Sequence, residues 1–155
     1  MRRLPLIPAI CALLLAAAPL AANAAETEAP WQSYTVDSTY DDVAFELQNA
    51  IENRGLVVDH ISHVGEMLNR TAKDVGATRQ VYDKAEVYQF CSAVLSRKMM
   101  EANPMNLAFC PYGIFLYQSH GSGKVVVGYR RMPPGEMQEV DALLNQIARE
   151  AAGVK

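Results

Sequence analysis

Two periods of apolar and polar residues alternate along this chain, and the changeovers between them mark its elements. Residues 31–36 repeat every second position, with Trp31, Ser33 and Thr35 opposite Gln32, Tyr34 and Val36, and predict a first strand. Ser38 or Thr39 then offers a helix cap, with Asp41 or Asp42 three residues on. Val43, Leu47, Ala50 and Ile51 follow at helical spacing, and Gly55 stops the helix with Arg54 in its last turn. A second strand is expected over 56–64. A short helix over 66–75 would bury Met67, Leu68, Thr71, Ala72 and Val75 and close at Gly76.

Residues 85–91 read as a third strand. A helical turn over 96–101 ends at Asn103-Pro104, because the residue before proline avoids helical geometry. Residues 112–117 and 124–130 form the last two strands, joined through Gly121-Ser122-Gly123. Pro133-Pro134-Gly135 opens a final helix whose stripe is Met137, Val140, Leu143, Leu144, Ile147 and Ala151. The late strands are joined by short links, so they pair antiparallel, and the helices must bury their stripes on one face of the sheet. The expected class is α+β: a two-layer domain over residues 31–155 with an antiparallel sheet packed by helices. Tyr34, Tyr88, Tyr112, Tyr117 and Tyr129 fall on strands and suit sheet packing.

The first residues change the chemical context. Arg2 and Arg3 precede an apolar stretch over 4–22 that ends in Ala22-Asn23-Ala24, a small-x-small peptidase site. This is the plan of a secretory signal peptide over 1–24, followed by a polar lead-in over 25–30. Pro5, Pro8 and Pro19 argue against an uncleaved anchor, and Pro8-Ala9-Ile10 lacks the small residue a lipidated Cys11 would need. The expected location is periplasmic or secreted, with no stable membrane insertion after cleavage. Removing the two leader arginines makes the net charge of −3 more negative still. An acidic chain is a poor partner for nucleic acid.

Export leaves two cysteines, Cys91 at the end of the third strand and Cys110 just before the fourth. If those strands pair antiparallel, the two are neighbours. A disulfide there would contribute about 3 kcal/mol on the chain-entropy estimate. A redox pair lacks Cys-x-x-Cys spacing. A metal or haem reading also stands open. Thioether, thiolate and imidazole together suit copper, a single His or Cys can hold haem iron, and His63, Cys91 and Cys110 are the candidate ligands. His60 and His63 face opposite sides of a strand, so they cannot share one ion. Met67 and Met137 lie on helix stripes and read as core filler.

Other patterns carry less. Ser119-His120-Gly121-Ser122-Gly123-Lys124-Val125 lacks the glycine spacing and the hydroxyl residue after lysine that a phosphate loop requires, and reads as a hairpin with His120 exposed. Arg97-Lys98 and Arg130-Arg131 are small basic clusters that read as solvated faces or anion contacts.

At Phe90-Cys91-Ser92-Ala93, Ser96-Arg97-Lys98-Met99-Met100-Glu101-Ala102-Asn103-Pro104, Phe109-Cys110-Pro111-Tyr112 and Gly128-Tyr129-Arg130-Arg131, the chain resembles a bacterial and archaeal family called domain of unknown function 302. The resemblance spans about Tyr34 to Ala151. It implies a β-α-β4-α fold like that of the TATA-binding protein, with homodimers, and no established activity. Many relatives have glycine at the position of Cys91 and no cysteine at that of Cys110, so this chain resembles an exported two-cysteine branch. The resemblance places a site at His63 and the 91–104 segment. The expected function is therefore a small non-catalytic accessory or binding protein for a small molecule or metal. Its cleft would lie at the ends of the second and third strands, with His63, Met99, Met100, Asn103 and Tyr112 as ligand contacts. The other reading is a metal- or haem-binding redox protein acting through Cys91, Cys110 and His63.

Overall fold

The structure is a computed structural model that describes residues 29–154. The leader over 1–24, its peptidase site and most of the 25–30 lead-in lie outside the described residues. Five strands form one sheet: β1 Trp31–Val36, β2 Val58–Ser62, β3 Tyr82–Phe90, β4 Tyr112–Ser119 and β5 Val125–Arg130. The helices are α1 Tyr40–Glu52, α2 Val64–Thr71, α3 Ala93–Ala102 and α4 Gln138–Ala151, with a 3-10 helix at Pro104–Phe109. The sheet order is β1-β5-β4-β3-β2, and every neighbouring pair is antiparallel. The expected β-α-β4-α plan is present, with α2 and α3 inserted between strands.

Local chemistry accounts for the element ends. Thr39 caps α1 by accepting a hydrogen bond from the Asp42 N–H at 3.1 Å. Gly55 leaves the helix at φ +69°, a conformation that an L side chain resists. Ser92 caps α3 by accepting from the Leu95 N–H at 3.3 Å, so this helix starts three residues earlier than the expected turn. Val43, Leu47, Ala50 and Ile51 of α1 and Val140, Leu144, Ile147 and Ala151 of α4 are all buried, as their spacing predicts. Together they cover one sheet face, formed by Tyr88, Phe90, Tyr112, Ile114, Leu116, Val125, Val127 and Tyr129. Arg54 joins the two helices through Glu150 at 2.8 Å.

The region after α1 departs from expectation. β2 is shorter than 56–64, and its register with β3 shifts between Val58 and His60. The chain then turns into α2 at once, because Gly65 lets the first turn of that helix press on β3. A Cβ at Gly65 would lie 2.7 Å from the Ala85 backbone nitrogen. α2 thus takes the place along β3 that a longer β2 would have filled. Its expected stripe is not buried: Met67 is 43% exposed, and Leu68 and Val75 also face outward. Met137 is the core filler expected of it, and Met67 is not. No helix among the described residues is long and apolar enough to cross a membrane.

Candidate functional site

The strand pleat sends Glu86, Tyr88 and Phe90 toward the helices and Val87 and Gln89 to the other side. Glu86 is the charged member of the helix-covered set, and three donors close around it. The hydroxyls of Tyr40, at the start of α1, and of Tyr88 each donate to its Oε2 at 3.0 Å. His63 Nδ1 lies 2.7 Å from its Oε1. Burial, then the Glu86 charge, holds both phenols above their ordinary pKa of 10.0, so they remain donors. A polar cavity of about 490 Å³ opens beside this cluster, bordered by Asp41, Glu66 and Lys84. The Lys84 ammonium pairs with Asp41 and stands 5.1 Å from the centroid of the Tyr40 ring. Glu86, Lys84 and Asp41 are therefore matched from within the protein.

At the other end of β3, Cys91 and Cys110 are brought together, as the antiparallel argument requires. Phe90 pairs with Tyr112, and the two sulfurs, 19 positions apart in sequence, stand 2.9 Å from each other as thiols. Burial and the neighbouring Cys110 thiol push the Cys91 pKa up to about 11, which keeps it a poor nucleophile and a poor thiolate ligand. Ser96 Oγ donates to the Tyr112 hydroxyl at 3.2 Å and lies 3.9 Å from Cys110 Sγ.

The expected cleft does not form. β2 and β3 run in opposite directions, so Ser62 lies opposite Val87, whereas Val58 lies opposite Phe90. The end of β2 therefore meets the first half of β3, and His63 meets Glu86. Cys91 is five residues further along, roughly 16 Å at the usual strand rise. His63, Cys91 and Cys110 cannot share a metal, and among the described residues no group of three or more His, Cys, Asp or Glu side chains could hold one. The other expected contacts are committed elsewhere. Met99 and Tyr112 are each only 1% exposed, inside the core. Asn103 caps the 3-10 helix, its Oδ1 accepting from the Met105 N–H at 3.0 Å. Met100 is half-buried on α3. His120 is exposed in the β4–β5 hairpin and binds Asp83 at 2.6 Å. That bond and the Gly121 N–H hold the Asp83 carboxyl below its ordinary pKa.

A second concave surface lies on the sheet face that no described helix covers. Here β1, β5, β4 and β3 present Trp31, Ser33, Phe115, Tyr117, Val87 and Gln89. The end of the 3-10 helix raises one wall at Ala108 and Phe109, continued by Pro111, and Pro30 and Met132 add others, lining a groove of about 620 Å³. Phe115 and Tyr117 stack at 6.2 Å between ring centroids, and Tyr82 tilts onto Tyr117 at 5.3 Å. Two glycines shape the floor. The Phe115 ring lies over Gly128, where a Cβ would come within 2.6 Å of it and 2.4 Å of the Gln32 carbonyl. At Gly113 the missing side chain leaves a gap between Gln89, its partner on β3, and the Arg130 end of β5.

Sequence reading did not find this groove, yet a signal for it was present. β4 reads Tyr-Gly-Ile-Phe-Leu-Tyr and β5 opens Val-Val-Val, so both phases of these strands are apolar. A strand with water on one side alternates. Two apolar phases mark a second face that is itself apolar.

A five-stranded antiparallel sheet, helices on one face and an aromatic groove on the other define a small two-layer α+β protein with an open sheet face. The chain belongs to the family described as Domain of unknown function DUF302, whose model matches residues 32–153. It is also similar in fold to the crystal structure of an uncharacterized conserved DUF302 protein from Bacillus stearothermophilus. That likeness has a TM-score of 0.57 and 16% identity, over 80% of this chain and 94% of that one. No curated protein matches the chain.

Proposed function

We propose that this is an exported, non-catalytic binding protein whose ligand lies in the groove on the uncovered sheet face. The observation that carries the reading is the groove itself. It offers about 620 Å³ of mostly apolar concave space with a few polar groups at its edge, which is the usual character of a small-molecule site. Export is supported by the leader pattern, and the adjacent Cys91 and Cys110 suit a bridge that an oxidising compartment would close. The absence of chemistry is supported by how the reactive groups are held: Glu86 is engaged by three donors, and the Cys91 thiol is kept protonated when reduced and consumed when bridged.

Trp31 borders the groove and is the sole tryptophan of the chain, so its emission reports on occupancy. Titration with N-phenyl-1-naphthylamine, an uncharged apolar probe, is expected to saturate at one probe per chain with energy transfer from Trp31. Val87→Asp, which puts a charge in the floor, is expected to abolish that signal while the protein stays folded. Absence of any saturable signal from the folded protein would defeat this reading.

A further inference from the structure

Resting on that reading, we propose that the groove takes an amphipathic carboxylate, its anionic head held by Arg130 and Gln89 over Gly113 and its apolar body lying along Val87, Phe115 and Tyr117. Three observations lead there.

The first is charge. Arg130 is the one charged residue lining the groove, and among the described residues its guanidinium has no carboxylate partner. The neighbouring Arg131 points to the other side of the sheet, where its Nη2 donates to Gln32 Oε1 at 2.6 Å and its buried Nε has no partner among the described residues. A free guanidinium beside an apolar wall binds a planar anion through two parallel hydrogen bonds. A cationic ligand would meet repulsion there, and a neutral one would leave the guanidinium without a partner.

The second is position. On this face Trp31 pairs with Arg130 and Gln89 pairs with Gly113, so these side chains form one row across the sheet. Gly113 puts a gap in that row. Arg130 and Gln89 flank it from the two neighbouring strands, about 10 Å apart at the backbone, close enough for both long side chains to reach a head group above the glycine. The guanidinium would donate to one carboxylate oxygen or both, and the Gln89 amide would donate to the other.

The third is the direction of the apolar surface. From the Gly113 row the floor continues through Phe115 and Val87, which pair with each other, to Tyr117. That path is about 13 Å long at the usual strand rise and is walled by Phe109 and Pro111 on one side. A chain or fused ring anchored at its head would bury its body there. The shape excludes a bulky polar head such as a nucleotide, because among the described lining residues the only cation is at one end and the rest of the floor has no charge.

The test is a matched ligand series on the purified protein, read by Trp31 emission and by calorimetry: decanoate, octanoate, decanol and decyltrimethylammonium. Decanoate is expected to bind one per chain. Affinity should rise about fourfold for each added CH₂ that reaches the floor. Decanol should bind about tenfold more weakly, the factor expected for losing a charge-assisted pair, and the ammonium should not bind. Arg130→Gln should weaken decanoate about tenfold and leave decanol unchanged, while Arg130→Lys should restore part of the loss. Gly113→Val tests the gap separately. The glycine has no positive φ, and a Cβ there meets only Val87 Cγ1 at 3.4 Å, so the strand should accept valine with its melting temperature kept while decanoate binding is lost.

Equal binding of decanoate and decanol, unaffected by Arg130→Gln, would overturn the head-group assignment and leave the groove as an apolar site. Failure of every ligand, N-phenyl-1-naphthylamine included, would overturn the groove reading itself. A stable dimer by light scattering that decanoate fails to dissociate would assign this face to a second copy of the chain and overturn the ligand.

Discussion

The two faces of the sheet carry similar numbers of aromatic side chains and treat them oppositely. On the helix-covered face, Tyr40 and Tyr88 donate to Glu86, and Tyr129 donates to Asp141 at 3.2 Å. Each phenol is buried and each has a partner. On the uncovered face, Trp31 is 53% exposed and Arg130 has no carboxylate partner among the described residues. A buried polar group without a partner costs stability, so the covered face pairs its phenols within the chain, and among the described residues the buried side-chain atom left without a partner is Arg131 Nε. The uncovered face is under no such demand, and its unused apolar surface and charge remain free for a ligand. The Glu86 cavity therefore reads as a joint that fixes α1 and α2 to β3, although it contains the histidine that the sequence singled out.

Neighbouring residues on β4 offer the largest test of this contrast. Leu116 points into the helix side and is fully buried, whereas Phe115 points into the groove. Leu116→Ala should cost about 4 kcal/mol in urea unfolding, and Phe115→Ala only about 1–2 kcal/mol despite the larger ring. Equal losses would mean that the second face is as closed as the first. Next in size is the sulfur pair. Oxidation of Cys91 and Cys110 to a bridge should raise stability by about 3 kcal/mol over the reduced protein. A thiol titration of the native, unreduced protein should then find no reactive thiol in the exported form, and finding two would remove the bridge.

The Glu86 joint should come third. Glu86→Gln keeps the shape but takes away the charge that three donors share, for a loss of about 2 kcal/mol. His63→Ala should cost under about 1 kcal/mol, since the imidazole is half exposed and its pair is screened. It should leave binding of decanoate unchanged, and a loss of binding there would return the site to the end of β2.

The smallest effect is on pH. Tyr40 and Tyr88 hold their protons more tightly folded than unfolded, so their contribution is complete below their ordinary value of 10.0 and is lost as pH rises beyond it. The Cys91 thiol acts in the same direction between its ordinary 9.0 and about 11, and only in the reduced protein. Urea midpoints should hold steady up to about pH 9 and fall above it, with an earlier onset for reduced protein. A flat profile to about pH 11 would show that these groups are not buried as described.

Much of this architecture was legible before any coordinates. The Thr39 cap, the Gly55 stop, the stripes of α1 and α4 and the placing of β1, β4 and β5 all follow from signals within a few residues of each other. The nearness of Cys91 and Cys110 also followed, since it needed only the direction of two consecutive strands. The expected cleft failed on a longer-range question. Two strand ends were assumed to lie together, when antiparallel pairing sets the end of one beside the start of the other. The extent of α2 failed because the Gly65 contact with Ala85, distant in sequence, decides where that helix sits.

Periodicity along the chain determined which residues go inside, because burial of an apolar stripe is a local property of a helix or strand. It also marked β4 and β5 as apolar in both phases. Whether the second phase would meet helices or stand open was settled only by tertiary packing, since both long amphipathic helices chose the same side of the sheet. Arg130, Gln89 and Gly113 are brought into one row by strand pairings that join positions far apart in sequence, and no spacing along the chain encodes that register.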